Sequence, residues 1–140
     1  MRGPLSGLRV LVADDDRIPR RMVAVAVARA GGEPTEAEDG AAALALVSSA
    51  PEAFDAAVLD FVMPGLDGAD LVTALRAIGF AGPVIGITGA ASDAEATAWV
   101  AAGCDEVLPK GCPMMELVVE LAAAYRRRRN GYGTFRRKAK

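Results

Sequence analysis

Aspartate, threonine and lysine residues stand at the ends of short apolar runs in this sequence, and together they could carry phosphoryl chemistry. Carboxylates brought close together repel one another, and a hard divalent cation relieves that repulsion. A carboxylate-rich, all-oxygen site that stays open to water suits Mg²⁺. The residues concerned are Asp14 and Asp15 after the first run, Asp60 after the third, Thr88 at the end of the fourth and Lys110 after the fifth.

Asp60 is the candidate nucleophile of this set. An aspartate carboxylate can attack a phosphoryl group and hold it as an acyl phosphate. Mg²⁺ and the ammonium group of Lys110 would neutralise the phosphoryl oxygens during the transfer. Thr88 could donate a hydrogen bond to the phosphoryl group only after it is bound, which would pull the loop after the fourth strand toward the site. The set therefore predicts a switch.

Each of these residues also has a purely structural interpretation. Residues 14–16 could cap a helix, Thr88 could simply end a strand, and Lys110 could be a surface charge. Lysine is rarely fully buried, so a lysine directly after an apolar strand is mildly informative. The prediction of a site depends on the joint placement of all these residues at strand ends.

Short apolar runs alternate five times with longer alanine-rich segments. Runs that are largely apolar throughout are typical of parallel strands covered on both faces. Glycine, proline and capping residues mark the helix ends, and Ser92 and Glu95 form a predicted capping box. The predicted strands are 8–13, 33–37, 54–59, 83–88 and 106–108, and the predicted helices begin near Asp16, Asp39, Gly68 and Ser92 and after Pro113.

This alternation of strands and helices predicts βαβ units and therefore a parallel sheet. Five units are too few for an eight-stranded barrel, so we expect an open α/β sheet in a three-layer sandwich. Open sheets of this class bind ligands at the carboxyl ends of their strands. The polar residues of the candidate site fall at those ends.

Composition narrows the classes of protein. Hydrophobic residues make up 52% of the 140 residues and charged residues 24%, which is typical of one soluble globular domain. No apolar run reaches the ~20 residues of a membrane span, and the N-terminus lacks a secretory signal, so we expect a cytoplasmic protein with no membrane partner. The absence of histidine excludes histidine-based catalysis. Cys104 and Cys112 match neither a redox nor a zinc spacing and are expected to be buried thiols.

Charge is distributed unevenly along the chain. From Tyr125 onward there are 8 basic residues and no acidic ones, whereas the preceding residues carry 8 basic and 18 acidic ones. A basic tail can bind nucleic acid, but no groove-reading motif accompanies this one. We therefore expect a solvated helix end and linker, with no direct nucleic-acid binding. The first few residues and those after Asn130 are expected to be poorly ordered.

Five blocks of the sequence, in this order, resemble the response-regulator receiver domains of the CheY-like superfamily. The blocks are LRVLVADDD at 8–16, VLDFVMPGLDG at 58–68, PVIGITG at 83–89, AGCD at 102–105 and Lys110. The resemblance covers about residues 8–125 and implies a doubly wound, flavodoxin-like sheet of five parallel strands in order 2-1-3-4-5, flanked by five helices. The expected domain organisation is an N-terminal extension at 1–7, a receiver domain at 8–129 and a basic tail at 130–140. The receiver of a hybrid histidine kinase is one origin consistent with this match.

The resemblance also implies a role for each matching residue. Asp60 would accept the phosphoryl group from a histidine kinase or a histidine phosphotransfer protein. Asp15 and Asp60 would bind Mg²⁺ directly, Asp14 would act mainly through water, and the backbone carbonyl of Val62 would complete the protein ligands. The remaining implied roles are the switch hydroxyl for Thr88 and the phosphate-contacting cation for Lys110.

Several positions depart from the family pattern. Many members carry Tyr or Phe three residues before the lysine, where this chain has Val107, so an aromatic rotamer there cannot be the readout. Gly111 follows the lysine in place of proline, while Pro109 precedes it, which fits only an edge strand or its end. Val62 and Ala90 occupy positions where the family tunes dephosphorylation. Neither side chain can orient a water molecule, so we expect slow loss of the phosphoryl group.

Three functions compete at this point. The first is a phosphorylatable receiver that signals to a downstream protein effector and catalyses only its own phosphorylation and dephosphorylation, with a homodimer left open. The second is a pseudo-receiver that acts as an interaction module without the chemistry, which Val107 and Gly111 slightly favour. The third is an Asp-nucleophile phosphatase, but that class places its nucleophile near the first strand. The Asp60 block favours the first.

Overall fold

Five parallel strands pair in the order 2-1-3-4-5 in the computed structural model, which describes residues 2–89 and 92–131. Five α-helices connect and follow the strands, so the predicted fold is confirmed. The elements are β1 (Arg9–Ala13), α1 (Arg17–Arg29), β2 (Glu33–Ala37), α2 (Gly40–Ser49), β3 (Ala56–Asp60), α3 (Gly68–Ala77), β4 (Val84–Thr88), α4 (Asp93–Ala102), β5 (Glu106–Pro109) and α5 (Met114–Arg129).

Two hydrophobic cores lie on opposite faces of the sheet. Successive side chains of a strand point to opposite faces, so each strand contributes to both cores. On one face, Val10 and Val58 pack with buried residues of α1 and α5. On the other face, Leu11 and Leu59 pack with buried residues of α2, α3 and α4. The sheet is therefore the middle layer of a three-layer sandwich.

Side-chain caps mark the starts of α1 to α4, whereas α5 begins after Pro113 without one. The Asp16 carboxylate accepts a hydrogen bond from the N–H of Ile18 at the start of α1. Ser92 and Glu95 form the predicted capping box of α4, and Gly103 ends that helix with a left-handed φ of 114°. A cap of this kind is worth about 1 kcal/mol. Because Asp16 serves the helix, Asp14 and Asp15 are the carboxylates left for the strand ends.

The amino edge of the sheet is held by a buried ion cluster that the sequence did not predict. Asp105 is 3% exposed and accepts hydrogen bonds from Arg128 at 2.8 Å, Arg76 at 3.0 Å and the N–H of Val84 at 2.8 Å. These contacts join α3 and α5 to the starts of β4 and β5. Removing one partner of such a buried pair typically costs about 3–5 kcal/mol. This edge is therefore the rigid end of the sheet.

We expected the first few residues to be poorly ordered, and this prediction is wrong for Leu5. Leu5 is fully buried in the core beside α1 and α5, and its N–H donates to the carbonyl of Ala30 at 3.0 Å. A single leucine gives no periodic signal, so the sequence alone could not reveal this docking.

Both cysteines are buried, as expected. The predicted basic tail lies outside the described residues from position 132 onward.

The predicted strand ends are close to the observed ones. β2 matches the prediction, whereas β3 starts two residues later than expected, at Ala56, and ends one residue later, at Asp60. Among the described residues β5 pairs only with β4, so Pro109 stands at the end of an edge strand, where its missing N–H is tolerated. None of the helices within the described ranges combines the length and apolarity that a membrane crossing requires.

Candidate functional site

The carboxyl edge of the sheet collects the polar residues singled out in the sequence. Asp14 follows β1, Asp60 is the last residue of β3, Thr88 is the last residue of β4, and Lys110 follows β5. These four strands are neighbours in the sheet and run parallel, so their carboxyl ends meet at one edge. The strand order therefore brings Asp14 and Lys110, almost a hundred residues apart in the sequence, into one local cluster.

Three carboxylates form the acidic part of the cluster. One oxygen from each of Asp14, Asp15 and Asp60 lies within 4.8 Å of the others. Asp14 is 6% exposed and Asp60 4% exposed, whereas Asp15 faces solvent. Hard oxygen donors with one side open to water are the ligand set that Mg²⁺ takes in proteins. The chemistry of this donor set fits that ion.

Lys110 is the cation that faces these carboxylates. Its Nζ lies 3.1 Å from Asp60 Oδ2 and 3.9 Å from Asp14 Oδ2. Desolvation by itself would lower the pKa of Lys110, but the hydrogen bond to Asp60 and the negative charges of Asp14 and Asp60 outweigh it and raise that pKa. The ammonium group therefore stays charged beside Asp60.

The backbone of the Lys110 loop fixes where the lysine side chain starts. The N–H of Lys110 donates to the carbonyl of Thr88 at 2.6 Å, which ties the loop to the end of β4. Gly111 follows with φ of 87°, a left-handed conformation that glycine adopts without strain. The glycine found where the family has proline thus makes the turn that leads into α5.

Both oxygens of Asp60 already have partners. Oδ2 accepts from Lys110, and Oδ1 accepts from the backbone N–H of Val62 at 3.1 Å. The Val62 side chain is 67% exposed, so the space beside Asp60 opens to solvent at this point. Thr88 is buried at the end of the neighbouring strand. The predicted Ala90 position lies outside the described ranges.

Burial sets the protonation of Asp14. Desolvation is the main reason why its pKa rises from 3.8 to about 6, and the nearby carboxylate of Asp60 raises it further, against the opposing effects of the Asp16 N–H and Lys110. A second carboxylate so close makes ionisation of both groups costly, and Lys110 offsets only part of that cost. The cluster thus carries an electrostatic cost that a divalent ion would remove.

Arg20 is a residue of the site that the sequence reasoning missed. Its Nη1 donates to the backbone carbonyl of Asp14 at 2.9 Å, and its Nε donates to Glu36 at 2.9 Å. Arg20 therefore ties the β1–α1 loop to the end of β2. Its spacing of one helical turn from Asp16 was a usable signal, because that spacing places it back over the start of α1.

Exposed apolar side chains form a groove that adjoins the Asp60 pocket, and Ile18 and Met22 line both. Ile18 and Met22 on α1 are 70% and 53% exposed, and Met115 on α5 is 69% exposed. These side chains line a groove of about 640 Å³ between α1 and α5, whose charged lining residues are Arg17, Arg21 and Arg29. Exposed apolar surface of this kind is typical of a contact surface for another protein.

Comparison with known proteins identifies the family. The family described as the response regulator receiver domain matches residues 10–122. Response regulator MprA of Mycolicibacterium vanbaalenii is 38% identical over 120 residues, which cover 86% of this chain and 51% of MprA. The chain thus spans about half the length of the curated relatives it matches.

Solved structures give the same family. The Francisella response regulator 1452 receiver domain has a TM-score of 0.79 and 31% identity, covering 86% of this chain and 98% of that one. The signal receiver domain of the putative response regulator NarL from Mycobacterium tuberculosis has a TM-score of 0.78 and 31% identity, with the same coverage.

The raised pKa of Asp14 predicts that the free energy of unfolding of the metal-free protein depends on pH. Between pH 3.8 and about 6 the folded protein holds a proton that the unfolded chain has lost. This carboxyl's contribution to the free energy of unfolding therefore falls as the pH rises through that window. The neutral Asp14→Asn variant avoids the cost. We expect it to gain stability relative to the wild type as the pH is raised, measured by urea unfolding with EDTA present.

Asp16→Asn is the matched control for this measurement. It removes a neighbouring negative charge, and asparagine caps a helix about as well as aspartate. The control should show a much smaller change with pH. A stability difference between Asp14→Asn and the wild type that stays constant across the window contradicts the prediction.

Proposed function

This chain belongs to the response regulator receiver domain family, and on that premise we propose that it is a switch phosphorylated on Asp60 by a phosphohistidine-bearing partner. The observation that supports the proposal most is the contact of Lys110 Nζ with Asp60 Oδ2 at 3.1 Å inside a cluster of carboxylates. A lysine and several carboxylates that share one buried edge suit phosphoryl transfer better than they suit packing.

The proposed transfer is a displacement at phosphorus. One carboxylate oxygen of Asp60 forms a bond to phosphorus while the bond between phosphorus and the donor's imidazole nitrogen breaks. The imidazole leaves with the electron pair of that bond and takes up a proton from solvent. Lys110 neutralises charge on the phosphoryl oxygens, and the aspartate is left as an acyl phosphate.

Asp14, Asp15 and Asp60 are the side chains that would hold Mg²⁺, and the carbonyl of Val62 would complete the protein ligands. When bound, the ion would neutralise negative charge on the carboxylates and on the phosphoryl oxygens. The orientation of Asp14 supports this role, because its Oδ1 accepts from the Asp16 N–H at 2.8 Å and Arg20 holds its carbonyl. These contacts fix the carboxylate before any ion binds.

Thr88 is the proposed switch hydroxyl. It ends β4, next to β3, which ends at Asp60. A phosphoryl group on Asp60 would supply acceptor oxygens that an unmodified carboxylate does not, and a new hydrogen bond from Thr88 would reposition the segment that leads to α4. A downstream effector would then read the altered surface.

The partner proposed for phosphoryl donation is a histidine kinase or a histidine phosphotransfer protein. The apolar groove lined by Ile18, Met22 and Met115 starts beside the Asp60 site, and the basic residues in its lining suit an acidic partner surface. Docking there would bring a phosphohistidine to Asp60 while covering exposed apolar side chains.

The alternative is a pseudo-receiver that keeps the fold and interacts with partners without phosphorylation. Val107 supports it, because the position where many family members have an aromatic residue holds a half-buried aliphatic one. The two proposals differ in whether Asp60 reacts at all.

Asp60→Asn tests the proposal directly. We expect the wild type, incubated with Mg²⁺ and acetyl phosphate, to gain the mass of one phosphoryl group, and Asp60→Asn to gain none, because an amide is not nucleophilic enough to form the acyl phosphate. Asp16→Asn is the matched control and should label like the wild type, since Asp16 caps α1. Equal labelling of wild type and Asp60→Asn, or none in either with acetyl phosphate and with beryllofluoride, contradicts the proposal.

Val62→Asn tests the expected slow loss of the phosphoryl group. Valine cannot orient a hydrolytic water, whereas asparagine at this exposed position beside Asp60 can. We expect the acyl phosphate of Val62→Asn to decay about tenfold faster than that of the wild type, a modest part of the ~10²–10⁴ available to a positioned polar group. The decay is followed by the loss of labelled protein with time. Val62→Ala should decay like the wild type, and a wild type that decays faster than Val62→Asn contradicts the prediction.

A further inference from the structure

Helix α4 contributes a single buried side chain to the core, with Ala102 packed there as a half-buried one. Of its ten residues only Trp99 is buried, at 6% exposure. The neighbouring helix α3 has the same length and buries Gly68, Leu71, Val72 and Leu75. An element with so few buried contacts lies at the low end of local stability, so its position is easily biased.

Trp99, the buried residue of α4, packs against Phe61, which directly follows Asp60. The rings of Phe61 and Trp99 meet edge to face, with centroids 4.5 Å apart and an interplanar angle of 69°. Such aromatic pairs add about 0.5–1.5 kcal/mol beyond the burial of their surface. Phe61 is 2% exposed and directly follows the last residue of β3. A path of two side chains therefore joins the Asp60 position to α4.

Two glycines enclose the Phe61 ring on its other sides. A Cβ atom added to Gly86 on β4 would overlap the ring, and so would a Cβ atom added to Gly68 at the start of α3. The ring thus fills space that any larger residue would take. A buried ring in such close contact cannot absorb a backbone shift by moving into empty space, because packed interiors have few voids. A shift of this ring would therefore press on Trp99, which it contacts.

The hydrogen bonds around Phe61 connect its backbone to the state of Asp60. The N–H of Val62 donates to Asp60 Oδ1 at 3.1 Å, so a hydrogen bond joins the two residues on either side of Phe61. The N–H of Phe61 donates to the carbonyl of Ile87 on β4 at 2.9 Å. Phosphorylation of one Asp60 oxygen would change the charge and the acceptor strength of the carboxylate that accepts from the Val62 N–H. The peptide on the carboxyl side of Phe61 would therefore feel that change directly.

We propose that Phe61 and Trp99 are the positioning residues through which the state of Asp60 reaches α4. This inference rests on the proposed phosphorylation of Asp60. It assigns to Phe61 and Trp99 the coupling that Val107 cannot perform as an aromatic rotamer. Val107 lies opposite Gly86 in the sheet and borders the same core. The aromatic residues of this region are therefore Phe61, directly after β3, and Trp99 on α4, and none is on β5.

The experiment uses beryllofluoride with Mg²⁺ on the intact chain and follows two signals. Fluorine NMR reports whether the adduct forms at Asp60, which tests the proposed function. Amide hydrogen exchange of α4 reports whether the helix responds, which tests the coupling. In the wild type we expect the adduct to form and the exchange rates of α4 amides to change by about tenfold.

Phe61→Leu keeps an apolar side chain but removes the edge-to-face contact. We expect it to form the adduct while the change in α4 exchange falls to about twofold or less. Trp99→Leu removes the other ring and should behave in the same way, which keeps the test usable if Phe61→Leu does not fold. Phe80→Leu is the matched control, because Phe80 is also 2% exposed in the same core but precedes β4 at the amino edge. It should respond like the wild type.

The outcomes separate the two claims. An adduct with a full α4 response in both Phe61→Leu and Trp99→Leu overturns the coupling and leaves the proposed function standing. Loss of the response in Phe80→Leu as well overturns the specific path, since any loss of core volume would then suffice. The absence of an adduct in the wild type overturns the proposed function, and the coupling with it.

Discussion

The repulsion between the buried carboxylates of Asp14 and Asp60, balanced by Lys110, is the interaction around which this molecule is organised. Burial raises the pKa of Asp14 to about 6, and the proximity of Asp60 adds to the shift. Lys110 Nζ sits 3.1 Å from Asp60 and 3.9 Å from Asp14, so one cation serves both. Such a cluster exists only because neighbouring parallel strands end at one edge, and the negative charge that Lys110 leaves unneutralised suits a divalent cation.

The two edges of the sheet are built in opposite ways. At the amino edge, Asp105 is saturated by Arg76, Arg128 and a backbone N–H. At the carboxyl edge the charges are close but incompletely neutralised, and Trp99 is the one buried side chain of α4. Because the amino ends of the strands are held firmly and α4 is held less firmly, a local change in charge at the carboxyl ends can move α4 without unfolding the domain.

Much of the fold could be predicted because its signals are local. The alternation of apolar runs with helices, the capping box at Ser92 and the glycine at position 103 each act over a few residues. The strand order and the roles of the site residues came from the family resemblance. The sequence could not reveal contacts that depend on the tertiary structure. Leu5 docks on α1, Arg20 holds the carbonyl of Asp14, and Phe61 meets Trp99 38 residues later, and none of these follows from a periodic pattern.

The central claim is that Asp60 carries the phosphoryl group, and locating the modified residue tests it most directly. Reduction of the acyl phosphate with borohydride converts the modified aspartate to homoserine, and peptide mass spectrometry then gives its position. The account predicts homoserine at residue 60 after treatment with a phosphodonor and Mg²⁺, and unmodified aspartate at residues 14 and 15. Homoserine at either of those positions, or at a residue outside the cluster, would contradict it.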